Sequence, residues 1–331
     1  MREEILSLLS GRKIDQVPVF SGLIHVTKEG LEREELSLHE VHQDAGKMAK
    51  AATSTFKLTG IPSATLPLDL CAPAEMLGAE LNFYEGGEAQ FPQVKRALFE
   101  SAKDLTTKNI PLTEIRNKGR FALICEAIRL AKNDIGKEVV ISGGIPGPYT
   151  LLLYLCNPKN LFIEMKKEPQ FVLDALHHLS SFLAKIGEGY REAGADFITI
   201  HDMGGSPGFI GPAKYEQFVH PFEKLLIQKL PKPIVLSVCG SVKNSLQLLA
   251  ETGADAVSLD QTVDLASARL ALKGTLLFGN LDPIETLYRG DSARVHEAVI
   301  GARDAGVDAV WPGCDLVIES PLQNIRAMQE S

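Results

Sequence analysis

The sequence has no long hydrophobic run and no excess of positive charge. No stretch of its 331 residues reaches the roughly 18 consecutive apolar residues that a membrane-spanning helix requires. The formal net charge of −8 at pH 7 argues against non-specific nucleic-acid binding, because neutralising phosphates needs a basic surface. The acidic start Met1-Arg2-Glu3-Glu4 is unlike a signal peptide. These absences predict a cytoplasmic protein that binds neither nucleic acid nor membranes.

Cysteine is scarce, and its five positions show no pairing pattern. An odd, scattered set of cysteines is typical of free thiols in a reducing compartment. A chain of this length also buries a sizeable core without disulfides or a structural metal. The five cysteines are Cys71, Cys125, Cys156, Cys239 and Cys314.

Alternating helical and strand patterns predict an α/β protein. Segments that begin at Ala193, Thr252 and Ala305 repeat one pattern, in which a glycine ends a helix and an aspartate precedes an apolar strand. Candidate strands lie near positions 17, 63, 138, 197, 234, 256, 275 and 309. We therefore predict a (β/α)8 TIM barrel, one domain over residues 1–331, with an N-terminal helical extension and an irregular excursion near 72–110. A doubly wound open sheet is the alternative, but no Gly-x-Gly-x-x-Gly turn follows a first strand.

Two of the cysteines stand at the ends of predicted strands. The apolar run Ile234–Leu236 leads to Cys239, and the run that begins at Ala309 leads to Cys314. Ligands bind at the carboxyl ends of parallel strands, so we expect these thiols to meet there. The alternative is that both are small core residues, which is the commoner role of a free cysteine.

The same predicted edge collects further ionisable and polar side chains. Such a mixture predicts either a zinc site with thiolate ligands and an open position for substrate, or an acid-lined pocket that stabilises positive charge. Helix capping is the alternative role for the aspartates. The collected residues are His25, Asp69, Cys71, Tyr149, His201, Asp202, Cys239, Asp260, Asn280, Asp282 and Cys314.

Three segments resemble the uroporphyrinogen decarboxylase superfamily. The resemblance extends from near residue 2 to about residue 328 and implies the same (β/α)8 barrel. The segments are Gly144-Ile145-Pro146-Gly147-Pro148-Tyr149-Thr150-Leu151, Phe278-Gly279-Asn280-Leu281-Asp282-Pro283 and Pro312-Gly313-Cys314. The candidate cofactor-binding residues within the first two are Gly144, Tyr149 and Asn280.

Two branches of this superfamily differ at positions that the sequence shows. Decarboxylases carry Arg-Gln-Ala-Gly-Arg after the first strand, where this chain has the arginine-free stretch 21–25, although Asp69 and Tyr154 fall where the decarboxylases keep an aspartate and a tyrosine. Cobalamin-dependent methyltransferases carry His-x-Cys at one strand end and a later Pro-Gly-Cys. Here Cys239 and Cys314 match that pattern, but Ser237 replaces the histidine.

The resemblance to the methyltransferase branch implies a zinc ion held by Cys239 and Cys314. Serine is a poor zinc ligand, so another residue must supply the third donor if zinc binds tightly. The candidates at strand ends are His25, Cys71 and His201, and we favour His201.

The implied function is corrinoid-dependent methyl transfer between a methylated corrinoid protein and a small acceptor, such as the zinc-activated thiol of coenzyme M. No Asp-x-His-x-x-Gly corrinoid motif is present, so the corrinoid is expected on a small partner protein. Candidate catalytic acids are Asp69, Asp202 and Asp260. The alternatives are a decarboxylase, a donor-side demethylase, a tetrahydrofolate-linked methyltransferase and a non-enzymatic sensor. The resemblance also allows a homodimer.

Overall fold

A computed structural model of the chain describes residues 1–86, 90–107 and 115–331. Its centre is a seven-stranded sheet in which every neighbouring pair is parallel, in the order β1-β4-β5-β6-β7-β8-β9. A short antiparallel pair, β2–β3, lies outside it. The strands are β1 Ser63–Leu66, β2 Leu81–Asn82, β3 Gln93–Val94, β4 Val140–Pro146, β5 Phe197–His201, β6 Ile234–Val238, β7 Ala256–Leu259, β8 Leu276–Leu281 and β9 Ala309–Pro312.

Helices connect the strands, as parallel pairing requires. None of the described helices is long and apolar enough to cross a membrane. The helices are α1 Arg2–Leu9, α2 Lys28–Arg33, α3 Leu38–Val41, α4 Ala45–Thr59, α5 Ala72–Met76, α6 Ala102–Thr107, α7 Phe121–Ile135, α8 Pro148–Leu155, α9 Pro158–Lys167, α10 Pro169–Ala193, α11 Pro207–Ile210, α12 Pro212–Phe218, α13 His220–Lys229, α14 Leu246–Glu251, α15 Leu265–Ala271, α16 Ser292–Asp304 and α17 Leu322–Glu330.

The strand predicted near residue 17 forms only an isolated parallel bridge, between Val19 and Val310 of β9. On its other side, Ser21 donates its backbone N–H to the hydroxyl of Ser63 in β1 at 2.9 Å. The described residues show no backbone ladder between these two segments. The α/β class and the parallel order of the sheet are therefore confirmed, while the closed eight-stranded barrel remains a prediction.

The sheet curls around a cluster of buried apolar side chains that the strands and α1 contribute. Phe20 lies edge-on to Trp311, with the ring centroids 5.1 Å apart, and Trp311 is fully buried. The indole is therefore part of the core. Outside the sheet, α10 ends at Gly194, whose φ of 117° is readily adopted only by glycine.

The excursion predicted near 72–110 contains α5, the β2–β3 pair and α6, but residues 87–89 and 108–110 lie outside the described part of the chain. A parallel bridge between Phe99 and Cys156 ties the excursion to the end of α8. The excursion therefore lies beside the carboxyl ends of β1 and β4, where it forms one wall of the cavity described below.

Candidate metal site at the carboxyl edge of the sheet

One imidazole and two thiols meet at the carboxyl edge of the sheet. His201 is the last residue of β5, Cys239 directly follows β6, and Cys314 follows β9. His201 Nε2 lies 3.2 Å from Cys239 Sγ and 3.6 Å from Cys314 Sγ, and the two sulfurs are 2.8 Å apart. The three ligand atoms all lie within 4.8 Å of one another. Residues up to 113 positions apart in the sequence thus form one compact donor set.

The parallel register explains how His201 reaches the two thiols. His201 of β5 is paired with Ser237 of β6, the position at which the methyltransferase pattern carries its histidine. Neighbouring strands lie about 4.8 Å apart, so this chain carries an imidazole on β5 at the level of the sheet where that pattern has one on β6. The Ser237 hydroxyl is buried, with no hydrogen-bond partner among the residues that the structure describes.

The two other candidates for the third ligand are occupied elsewhere. Both ring nitrogens of His25 face backbone carbonyl oxygens, at 2.7 Å from Leu23 and 3.0 Å from Ser63. The thiol of Cys71 donates to the carbonyl oxygen of Pro92 at 3.3 Å. Of the three candidates, the structure brings only His201 next to both thiols.

Proton positions in this cluster are coupled. Burial alone would lower the pKa of His201, but the charges of Asp315 and Cys314 outweigh burial and raise this pKa to about 9. The hydrogen bond from Cys239 lowers the pKa of Cys314 and raises that of Cys239. These shifts favour a thiolate on Cys314, which is the form that binds metal ions.

The donor set fits zinc. Two cysteine sulfurs and a histidine nitrogen are among the preferred ligands of this ion, and three protein ligands leave a fourth position for substrate. His201 is buried, while both cysteines are half-buried, so the cluster is shielded and still reachable from one side. The same three residues are the one metal-ligating cluster found in the described part of the chain.

A cavity of about 750 Å³ adjoins this cluster. Asp315, the residue after Cys314, lines it together with Met203 and Tyr154, and the excursion contributes the opposite wall. Volumes of a few hundred Å³ are typical of small-molecule sites. Arg96 is the one basic side chain among the described residues that line this cavity.

Asp69, a predicted catalytic acid, lies on the cavity wall, but its carboxylate is fully engaged. Its oxygens accept hydrogen bonds from the backbone N–H groups of Cys71 and Ala72 and from the Arg120 guanidinium at 2.9 and 3.2 Å, and His42 Nδ1 lies 3.1 Å away. Burial alone would raise the pKa of Asp69, but Arg120 and His42 hold it well below its usual range. These contacts favour capping of α5 and a buried ion pair over proton donation.

The two other predicted acids hold loops around the metal cluster. Asp202 is fully buried and accepts hydrogen bonds from the Thr150 hydroxyl at 2.5 Å and from the Gly205 N–H at 2.9 Å, which folds the loop after His201. Asp260 accepts from the Gly240 N–H, next to Cys239, and from the N–H and hydroxyl of its neighbour Thr262. Both carboxylates therefore support the ligands through backbone contacts.

The three predicted cofactor-binding residues are placed differently from one another. Tyr149 is fully buried and its hydroxyl lies 3.2 Å from the sulfur of Met165, so it points into the helical layer and away from the cavity. Asn280 is half-buried and donates to the carbonyl oxygens of Asp260 and Val263. Gly144 is buried within β4. The cofactor-binding role of Gly144, Tyr149 and Asn280 stays a prediction, and none of the three is among the described residues that line the cavity.

Sequence reasoning missed two features of this region. Asp315 faces His201 Nδ1 at 3.5 Å, and its place directly after Cys314 was a usable signal. Arg120, the partner of Asp69, follows a stretch with no strand or motif, and no pattern marked it. Its pairing depends on the folded arrangement of α5 and α7.

The fold and the site define an α/β protein with a curled parallel sheet and a thiol–imidazole cluster at the carboxyl ends of its strands. The chain belongs to the uroporphyrinogen decarboxylase (URO-D) family, whose model matches residues 1–331.

Individual relatives divide between two activities. The chain is 30% identical to a methylcobamide:CoM methyltransferase, MtbA, of Methanosarcina acetivorans over 99% of this chain and 96% of the relative. It is 27% identical to a uroporphyrinogen decarboxylase of Thermodesulfovibrio yellowstonii over 78% of this chain and 75% of the relative. A solved structure of a methyltransferase from Methanosarcina mazei superposes with a TM-score of 0.93 at 26% identity, covering 99% of this chain and 96% of that one.

Proposed function

We propose that the protein is a corrinoid-dependent methyltransferase that moves a methyl group between a methylated corrinoid protein and a small thiol such as coenzyme M. The observation that carries this proposal is the cluster of His201, Cys239 and Cys314, which offers three zinc ligands beside an accessible cavity. The similarity to a methylcobamide:CoM methyltransferase over nearly the whole chain supports it. A cytoplasmic location, a small corrinoid protein as partner and a closed eight-stranded barrel belong to the same proposal.

The three side chains would hold zinc, which when bound supplies Lewis acidity that lowers the pKa of a thiol. The chain's own residues set the charge of the site and hold its ligands in place. The hydrogen bond from Cys239 lowers the pKa of Cys314, which favours a negative charge on this sulfur and so the binding of a cation. Asp260 fixes the backbone next to Cys239, and Asp202 fixes the loop after His201. The cavity, which Asp315 lines, would admit a small thiol and hold it beside the cluster.

The test is an assay of methyl transfer from methylcobalamin to coenzyme M. The rate is measured as the loss of methylcobalamin absorbance. Free methylcobalamin replaces the corrinoid protein in this assay. Wild type and a Cys125→Ala control should both turn over, because Cys125 is buried on α7, outside the cluster. Cys314→Ala should lose at least about 100-fold in rate, since removing one ligand of an activating metal removes most of the site's effect.

The decarboxylase alternative gives a different result with the same preparations. Uroporphyrinogen carries many carboxylates, which favour arginine partners. Among the described cavity residues only Arg96 could serve, and Arg120 is committed to Asp69 and Glu75. Decarboxylation of uroporphyrinogen by wild type, with no methyl transfer to any thiol, would overturn the proposal.

A further inference from the structure

We propose that Asp315 is a positioning residue that sets the tautomer and the orientation of His201 for metal binding. This inference rests on the proposed function, because it assumes that a metal ion is bound by the three-residue cluster. The backbone N–H of Asp315 faces the sulfur of Cys314, whereas its carboxylate faces the ring of His201.

The two ring nitrogens of His201 face different partners. Nε2 points at the sulfurs of Cys239 and Cys314, while Nδ1 faces Asp315 Oδ2 at 3.5 Å. An imidazole that binds a metal ion through one nitrogen carries its single proton on the other, and a carboxylate only accepts. A proton on Nδ1, on the side of Asp315, leaves the Nε2 lone pair free on the side of the thiols. This is the carboxylate–histidine–metal arrangement that orients many metal ligands.

The carboxylate of Asp315 is held from its other side. Its Oδ1 accepts the backbone N–H of Ile24 at 2.8 Å, and the N–H of Leu316 donates to the Ile24 carbonyl oxygen at 2.9 Å. Two residues before Ile24, Gly22 packs so closely on the Trp311 ring that a Cβ there would lie 2.6 Å from it. The first loop is thus fixed on the core, and Asp315 connects that fixed loop to His201.

Each oxygen of Asp315 therefore has to be an acceptor, which an asparagine side chain cannot reproduce. If the amide oxygen introduced by Asp315→Asn kept the Ile24 N–H, the amide NH2 would face Nδ1 and favour the tautomer with its proton on Nε2, where the metal should bind. If the amide turned over, its NH2 would face the Ile24 N–H and lose that hydrogen bond. Asp315→Asn thus disturbs the metal site with almost no change in side-chain volume.

The experiment measures Zn²⁺ affinity by competition with a chromophoric chelator at neutral pH. Loss of a carboxylate behind a histidine ligand typically weakens metal binding about 10- to 100-fold, which is the loss expected for Asp315→Asn and for Asp315→Ala. The matched control is Asp282→Asn, on the same edge of the sheet. Asp282 Oδ1 accepts hydrogen bonds from two backbone N–H groups, a capping role that asparagine also fills. The Zn²⁺ affinity of Asp282→Asn should therefore stay within about twofold of wild type.

A second readout needs no variant at Asp315. A long-range ¹H–¹⁵N spectrum of zinc-loaded wild type, with the His201 signals assigned by their loss in His201→Ala, should show the proton on Nδ1. Unchanged zinc affinity in both Asp315 variants, or a proton on Nε2 in wild type, would overturn the inference and leave the methyltransferase proposal intact. If wild type bound no zinc, both the inference about Asp315 and the methyltransferase proposal would be refuted.

Discussion

Two substitutions, His201→Ser and Ser237→His, would transfer the histidine of the metal site from β5 to β6. The register of these strands predicts how each substitution changes zinc affinity. His201→Ser removes one of the donors. Complete zinc sites in small peptides bind with about 10–16 kcal/mol for four ligands, so one ligand contributes on the order of 3 kcal/mol, or a loss of about 100-fold in affinity.

Adding Ser237→His should recover at least about tenfold of that loss, because the two positions are register partners about 4.8 Å apart and both side chains point into the curled sheet. Within the described ranges of the chain, the buried hydroxyl of Ser237 makes no hydrogen bond that the change would break. Affinity is measured by chelator competition, and circular dichroism checks the fold of each variant.

His178→Ala is the control, since His178 is an exposed histidine on α10, and it should bind zinc like wild type. Wild-type affinity in His201→Ser would refute the assignment of His201 as a ligand. A double variant no tighter than His201→Ser would contradict the argument from strand register while leaving that assignment in place.

Three further predictions concern residues around the site. Asp69→Asn should lower the free energy of unfolding at neutral pH by about 1.5–3 kcal/mol in urea titrations, because the buried Arg120 guanidinium loses one of its two carboxylate partners and keeps Glu75. Because the folded-state pKa of Asp69 is depressed, this carboxylate contributes to the free energy of unfolding above the pKa of an unfolded aspartate, about 4. The difference in unfolding free energy between variant and wild type should therefore shrink as pH falls below that value. A difference that grows on acidification would contradict the ion pair. Gly147→Ala should lower the free energy of unfolding by about 1–3 kcal/mol and the melting temperature by several degrees, because the new Cβ would collide with the Asp202 carboxylate. The control Gly301→Ala, on a helix with open space around it, should leave the melting temperature unchanged or raise it. Equal melting temperatures of the two variants would refute the close packing at Gly147. Tyr149→Phe should retain wild-type zinc affinity and methyl transfer, since its hydroxyl points away from the cavity, and a tenfold loss of either (about 1.4 kcal/mol) would restore Tyr149 to the site.

Sequence patterns identified the thiols because each cysteine follows a buried strand, and parallel strands bring their carboxyl ends together. His201 was favoured on the same ground. The pairing of His201 with Ser237 could not be read from the sequence, since register depends on how the strands align in the folded sheet.

Side-chain roles at strand ends were harder to predict than their positions. An aspartate at the end of a strand looks the same whether it caps the next helix, pairs with a distant arginine or transfers a proton. Asp69 proved to be held by Arg120, 51 residues later, and only the tertiary structure shows that contact. The first strand was overestimated for a similar reason: the short run near residue 17 has a strand pattern, but in the structure it contributes a single bridge.

The most direct test of the account is the metal content of the protein purified without chelator, by elemental analysis, beside Cys239→Ala and the Cys125→Ala control. We predict near-stoichiometric zinc in wild type and in Cys125→Ala, and its loss in Cys239→Ala. Wild type without zinc, even after reconstitution with the metal, or equal zinc in Cys239→Ala, would contradict the claim that these thiols form a metal centre.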